Sequence, residues 1–230
     1  MAKLLFGAIV ADARNKVGGV VFSRNIYGAY LKTKASPAEA TSAAAAQSTA
    51  SISASAKTWG SALTQEQRDA WIALAAATPV LDVFGNTQHL TGIATFVKVN
   101  RELKLIGQAQ IKDPPANFTT MNIGAVTPTF TLGPPYLLKL TVTNTPADPY
   151  QLVVCASTML TPGKKLPKAN KIPFVQAFAK GATSPFDFTD FWNAKYVKLP
   201  LFGMIAVAAY AVNSTNGAAG PRAAALLPIT

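Results

Sequence analysis

The sequence is short of charged residues and of the residue types that build metal and disulfide sites. Only 13% of its 230 residues are charged, against about a quarter in an average soluble domain, and it has one cysteine, Cys155, and one histidine, His89. A single cysteine excludes an intramolecular disulfide, and this pair cannot form the Cys- and His-rich clusters that hold zinc or iron–sulfur groups. We therefore expect no metal site and no cofactor.

Long hydrophobic runs are also missing. The longest nearly apolar run, residues 199–212, is too short and too rich in alanine to cross a bilayer, so we expect no membrane span. Lys3 and the apolar residues 4–11 imitate a secretion signal, but the run is brief and we interpret it as mature sequence.

Positive charge exceeds negative charge throughout the chain. Lysine and arginine number 21 against 10 acidic residues, a net charge of +11, and both halves share the excess. Such a balance is typical of proteins that bind nucleic acid or an anionic surface. Lysine outnumbers arginine 16 to 5, however, whereas groups that read bases or phosphates in a bidentate manner are usually arginines.

Residues 17–32 have the pattern of a β-hairpin, with an apolar, β-branched strand over residues 17–22 and a turn at residues 25–28. Two interpretations stay open for the basic residues around it: a solvated edge strand protected by cations, or a binding element. The basic residues of the second interpretation, which would contact phosphates, are Arg14, Lys16, Arg24, Lys32 and Lys34. The candidate assembly residues of the hairpin are Arg14, Lys16, Arg24, Tyr27 and Tyr30.

An uncharged helix is expected next. Ser36, Pro37 and Glu39 form a helix start, and residues 38–56 contain nine alanines and five serines, with no charge between Glu39 and Lys57. Such a helix is either a weakly helical linker or a helix held against neighbouring subunits, because it buries too little to be stable alone. Its candidate contact residues are Ala43, Ala46, Ala50, Ile52 and Trp59.

Two further helices follow. A second capping box, beginning at Thr64, predicts a helix over residues 65–77, and Thr91 caps a third helix that Gly107 closes. Residues 1–112 should therefore form a hairpin and about three helices that anchor the protein.

Residues 113–115, Asp-Pro-Pro, mark the predicted domain boundary. The rest, residues 113–230, has short strands separated by proline and glycine, which is typical of an immunoglobulin-like or fibronectin-like β-sandwich. The predicted strands are 137–143, 150–157, 174–178, 196–199, 204–212 and 223–229. The fold class is α+β.

No arrangement of titratable residues indicates catalysis. Cys155 sits inside an apolar strand, His89 lies in a turn, and Asp187 and Asp190 alternate with aromatic residues that should pack beneath a loop. We therefore expect that this protein is not an enzyme. A lysine-rich stretch over residues 164–171 is either solvated or contacts an anionic partner. Its lysines are Lys164, Lys165, Lys168 and Lys171.

The order of several short motifs over residues 7–115 resembles an uncharacterised family of structural proteins encoded in phage and prophage genomes. The motifs are residues 23–30, Pro37, Trp59, residues 63–64, 67–71, Pro79, residues 84–85, 90–92 and 96–100. This chain departs from the family in its Ala/Ser helix, where relatives carry more glutamine and arginine. The resemblance implies association with a virion rather than a reaction.

The functional hypothesis is a non-enzymatic virion protein, made in the host cytoplasm, whose partners are copies of itself and other virion proteins. Capsid decoration or cement is the preferred location, and a tail or head-to-tail connector role is the alternative. Nucleic-acid binding through the basic hairpin, or glycan binding by the sandwich, would be a different function. The uncharged residues 40–56 and 114–138 are expected to be covered by other protein.

Overall fold

The computed structural model describes residues 2–3, 13–26, 28–33, 43–82, 84–133, 135–196 and 203–229. They belong to two compact units, Met1–Thr95, here the N-terminal unit, and Phe96–Thr230, the C-terminal unit. The chain combines helices with several antiparallel sheets, so the predicted α+β class with an N-terminal hairpin is confirmed.

An antiparallel sheet begins the N-terminal unit. Its strands are β1 (Ala2–Lys3), β2 (Asn15–Val17), β3 (Val20–Asn25) and β4 (Gly28–Thr33), in the order β1-β4-β3-β2. The prediction of one continuous strand over residues 17–22 is wrong. Gly18 adopts φ +58°, a conformation that glycine reaches without steric cost, and the chain turns back there between β2 and β3.

Helices α1 (Ala43–Ser61) and α2 (Gln65–Ala77) follow. The capping box predicted between them is confirmed: the Gln67 backbone N–H donates to Thr64 Oγ1 at 3.2 Å, and the Thr64 N–H donates to Gln67 Oε1 at 3.0 Å. The predicted start of the first helix, at residues 36–39, lies outside the described residues.

Arg68 holds the turn between α1 and α2. Its guanidinium donates to the carbonyl oxygens of Trp59, Gly60 and Leu63 at 3.0–3.1 Å. The last carbonyl groups of a helix have no partner within the helix. Arg68 therefore caps the C-terminus of α1 with charge-assisted hydrogen bonds. The strands β5 (Val80–Leu81) and β6 (Thr87–Gln88) pair next, before α3 (Gly92–Leu105).

The C-terminal unit is a β-sandwich. Its strands are β7 (Val126–Thr131), β8 (Leu137–Val142), β9 (Tyr150–Ala156), β10 (Phe174–Ala177), β11 (Phe186–Asp187), β12 (Gly203–Asn213) and β13 (Ala223–Ile229). One sheet has the order β11-β8-β7 and the other β10-β9-β12-β13. If the strands are lettered A, B, C, C′, E, F and G, the sheets are A-B-E and C′-C-F-G, which is immunoglobulin-like connectivity.

The sandwich core follows from strand alternation. Leu138, Leu140 and Val142 of β8 face inward and are at most 5% exposed, and alternate residues of β12 from Ile205 to Ala211 meet them in the same cluster. The other side of β12 is buried too. Helix α3 lies against this side, as the close approach of Gly217, just after β12, to Val99 and Leu103 shows.

The boundary between the two units lies within α3, between Thr95 and Phe96. The part of α3 from Phe96 onward belongs to the C-terminal unit, whereas the sequence places the domain boundary at residues 112–113. Within the C-terminal unit, the Asn100 side chain binds the segment that follows α3. Its Oδ1 accepts from the Ile111 N–H at 2.8 Å and its Nδ2 donates to the Ile111 carbonyl at 3.2 Å, which fixes the segment after α3 against the helix.

Three elements of the sandwich are absent from the sequence-based prediction: β7, β11 and helix α4 (Thr189–Lys195). The aromatic residues near α4 were expected to pack beneath a loop, and Phe186, Phe188 and Trp192 are indeed buried. Phe191 is 42% exposed, because it lies on the solvent side of the short helix. Tyr196 follows α4 rather than starting a strand, and residues 197–199 lie outside the described residues.

Candidate functional site

The cations of the N-terminal sheet lie on two faces. Antiparallel register places Lys16, Val21 and Lys32 opposite one another on one face. The same register places Phe22 opposite Asn15 on the other face, and Arg24, two residues after Phe22, shares that face. The sheet thus divides these basic residues between its two faces.

A polar groove of about 470 Å³ lies at the β2–β3 edge and is lined by Arg14, Asn15, Phe22, Ser23 and Arg24. Asn15 adopts φ +76°, a left-handed conformation that is uncommon outside glycine. This conformation interrupts the regular strand geometry between Arg14 and β2. The structure therefore brings together Arg14 and Arg24, two of the predicted interface residues.

An ion pair ties β1 to the turn after β5. Lys3 Nζ lies 2.6 Å from Asp82 Oδ2, and the Asp82 side chain is 4% exposed. Asp82 Oδ1 also accepts the backbone N–H groups of Phe84 and Asn86 at 2.7 and 2.9 Å. The hydrogen bond from Lys3, helped by these backbone donors, lowers the pKa of Asp82 from 3.8 to about 2.

We expect Asp82→Asn to lower the thermal midpoint of the protein at neutral pH, with the difference from wild type shrinking in acid. A depressed carboxyl pKa stabilises the fold above the unfolded value of 3.8, and that contribution is lost as pH falls toward about 2. Melting curves of both proteins from neutral pH to about pH 2 measure the convergence. Lys3→Met should reproduce the effect, and a difference that stays constant with pH would contradict the assignment.

The Ala/Ser helix presents small, uncharged residues to solvent. In the described part of α1, Ala50, Ser53 and Ala54 are exposed and Ile52 is 43% exposed, while Trp59 is half-buried. The side chains of Ala43 and Ala46, and all of Tyr27, lie outside what the structure describes. Tyr30 is half-buried on the Lys16 face of the sheet.

An apolar groove of about 420 Å³ opens beside Trp59 in the N-terminal unit. Its lining residues are Trp59, Ile72, Ala76, His89, Leu90, Thr91, Gly92 and Ile93. Gly92 sets the close approach of the helices, since a Cβ there would lie 2.7 Å from Ile72 Cγ1 and 3.1 Å from Trp59 Cη2. Ile72 is 52% exposed and Ile93 37% exposed, so this groove presents apolar side chains to water. Trp59 is the only lining residue that is also a predicted contact residue of α1.

The lysine-rich loop between β9 and β10 is solvated. Lys164, Lys165, Lys168 and Lys171 are all exposed. None of the four lies in an ion pair within the described part of the chain, where the nearby Lys180 instead pairs with Asp148 at 3.3 Å. The loop therefore offers four cations to an anionic partner, without geometry that selects one.

A buried polar cluster, which sequence reasoning missed, joins α3 to the sandwich. The Tyr210 hydroxyl donates to Glu102 Oε2 at 2.7 Å, and Arg222 lies 4.0 Å from Glu102 Oε1 with its guanidinium 4.2 Å from the Tyr210 ring centre. Burial, followed by the Glu102 charge, raises the pKa of Tyr210. Such a cluster fixes the helix in one position on the sheet.

No protein-family model, curated protein or solved structure matches the chain. A function must therefore be inferred from the residues themselves.

The described residues contain no cluster of three or more metal-ligating His, Cys, Asp or Glu side chains. Asp187 Oδ1 accepts from the N–H and hydroxyl of Thr189 at 3.0 and 2.6 Å, so this carboxylate orders the start of α4. His89 is exposed in the N-terminal unit, and Cys155 is 2% exposed within β9. Among the described helices, none has the length and apolar character needed to cross a membrane.

Cys155 should resist thiol reagents in the folded protein. Burial raises the pKa of its thiol from 9.0 to about 11, so little thiolate exists near pH 8. We expect modification by a disulfide reagent to be more than about a hundredfold slower than for a free cysteine, and to become rapid in denaturant. Absorbance of the released thiol measures both rates. Fast stoichiometric modification under native conditions would show that the strand opens.

Proposed function

We propose that this chain is a non-enzymatic structural subunit of a phage particle, which assembles with copies of itself and with other virion proteins through its N-terminal unit. Capsid decoration is the preferred location. The exposed, uncharged surface of α1 is the observation that carries this proposal. The motif resemblance over residues 7–115 supplies the virion context.

The composition of α1 favours contact with protein rather than with water. From Ala43 to Ala56 the helix has no charged side chain, although residues such as Ala50 and Ser53 are exposed in the single chain. Small side chains let another backbone approach closely, and burying Ile52 would add apolar contact area. An isolated soluble protein ordinarily places charged residues on such a helical face.

The apolar groove beside Trp59 supports the same proposal. Ile72 and Ile93 stand half-exposed at its lining, and exposed apolar clusters of this kind mark interaction sites more often than isolated surface residues do. In a particle with many copies, symmetry would bury the same surface of every subunit. The C-terminal unit has its own closed core, so it does not need the assembly contacts to fold.

Particles give the direct test. We expect mass spectrometry of extensively washed particles from the phage or prophage that carries this gene to detect the chain in many copies. Labelling the chain and imaging the particles should place it on the capsid. A tail or connector position would correct the location, and absence of the chain from washed particles would overturn the virion proposal.

Association of the purified protein gives a second test. We expect its mass, measured by light scattering across a concentration series, to increase with concentration, and Ala50→Glu to reduce that association at least tenfold, because it places a charge on the surface to be buried. Ala73→Glu, on an exposed position of α2, is the matched control and should associate as wild type does. Equal effects of the two variants would argue against α1 as the contact.

A further inference from the structure

The five arginines of the chain have different structural roles. Arg68 binds the carbonyls at the end of α1, and Arg222 lies over a buried tyrosine ring. Arg101 is exposed on α3. Arg14 and Arg24 instead are exposed and line the same groove at the edge of the N-terminal sheet. Two of the five arginines therefore line one groove.

The other groups in the groove suit a nucleotide. Asn15, Phe22 and Arg24 share one sheet face, so an amide, an aromatic ring and a guanidinium lie next to one another, and Ser23 completes the lining. Phe22 is half-buried, which leaves part of its ring accessible. The volume of about 470 Å³ lies within the range of small-ligand pockets.

The local charge favours an anion. Residues 12–39 contain five basic residues and two acidic ones, Asp12 and Glu39, so this part of the sequence has a net charge of +3. Lys16 and Lys32 on the opposite face add to the positive potential. Guanidinium groups bind phosphate and carboxylate alike in a bidentate manner, so charge alone does not separate a nucleic acid from an acidic protein. The aromatic ring of Phe22 distinguishes the two, because nucleic-acid bases stack on such a ring and carboxylates do not.

We propose that this groove binds single-stranded nucleic acid, with Arg14 and Arg24 contacting phosphates and Phe22 stacking against a base. The proposal does not rest on the assembly role, since the groove belongs to the sheet and the assembly contact to α1. Stacking on an aromatic ring tolerates any base, so binding should show little sequence preference.

Fluorescence anisotropy of a labelled oligothymidine, titrated with the full-length protein at several salt concentrations, tests the arginines. We expect the double variant R14A/R24A to weaken binding about tenfold or more, and to reduce the slope of log affinity against log salt by about 1.4. The matched control, K98A/K104A, removes two exposed lysines of α3 in the C-terminal unit and should leave the affinity nearly unchanged. Equal losses in both double variants would overturn the proposal.

Two further variants distinguish binding by specific residues of the groove from general electrostatic attraction. R14K/R24K should keep most of the salt dependence but bind more weakly, because lysine lacks the planar guanidinium fork. F22L should weaken binding about tenfold through lost stacking, with circular dichroism and the melting midpoint showing that the sheet is intact. Unchanged affinity in folded F22L, or competition by polyglutamate as strong as by unlabelled oligothymidine, would overturn the proposal, the latter in favour of an acidic protein partner.

Discussion

Replacing Trp192 with alanine is expected to cost the C-terminal unit about 3–5 kcal/mol of unfolding free energy. The indole is 1% exposed within the sandwich core, and its ring centre lies 5.3 Å from that of Tyr196. The change would leave a large cavity and also remove the hydrogen bond that Nε1 donates to the Ser157 carbonyl at 3.0 Å. Since a domain is stable by only about 5–15 kcal/mol, this loss would approach the margin.

Urea unfolding of the full-length protein, followed by far-ultraviolet circular dichroism, measures the effect of Trp192→Ala. The other two tryptophans, Trp59 and Trp71, lie in the N-terminal unit, so the fluorescence of the variant reports that unit separately. The matched control is Phe191→Ala, an adjacent aromatic residue that is 42% exposed, and it should cost less than about 1 kcal/mol. If both variants cost the same, α4 would not be anchored through Trp192.

Local signals made part of this fold predictable. Thr64 and Gln67 are three residues apart and cap each other, so the start of α2 depends on no distant residue. The helix also ends before Pro79, as proline requires. Strands β12 and β13 were similarly predictable, because apolar runs flank a turn marked by Gly217 and Gly220.

The interaction surfaces were less predictable, because they depend on register and on distant contacts. Because the chain reverses at Gly18, residues 17–22 belong to two strands instead of the one predicted. A shift in register changes which face each side chain occupies. The sequence therefore showed a cluster of cations but not the separation of Arg24 from Lys16. The bond between Glu102 and Tyr210 joins residues 108 positions apart, and no local pattern in either segment indicates it.

The contact between α3 and the sandwich is also where a small substitution should have a large effect on stability. We expect Gly217→Ala to destabilise the C-terminal unit by about 2–4 kcal/mol, because alanine is disfavoured at φ +65° and because the unit would have to accommodate an overpacked methyl group. The new Cβ would lie 2.7 Å from the Val99 carbonyl oxygen and 3.0 Å from Leu103 Cγ. The carbonyl is backbone, so α3 itself would have to move.

Gly181→Ala separates the two causes. Gly181 has nearly the same backbone conformation, φ +71°, but a Cβ there would meet no atom within 4 Å. It should therefore cost only about 1 kcal/mol, the penalty of the left-handed conformation alone. Urea unfolding gives both free energies, and hydrogen exchange of the α3 amides should increase in Gly217→Ala only. Equal costs would mean that α3 yields freely at this contact, and the polar cluster around Glu102 would then be the main attachment of the helix to the sandwich.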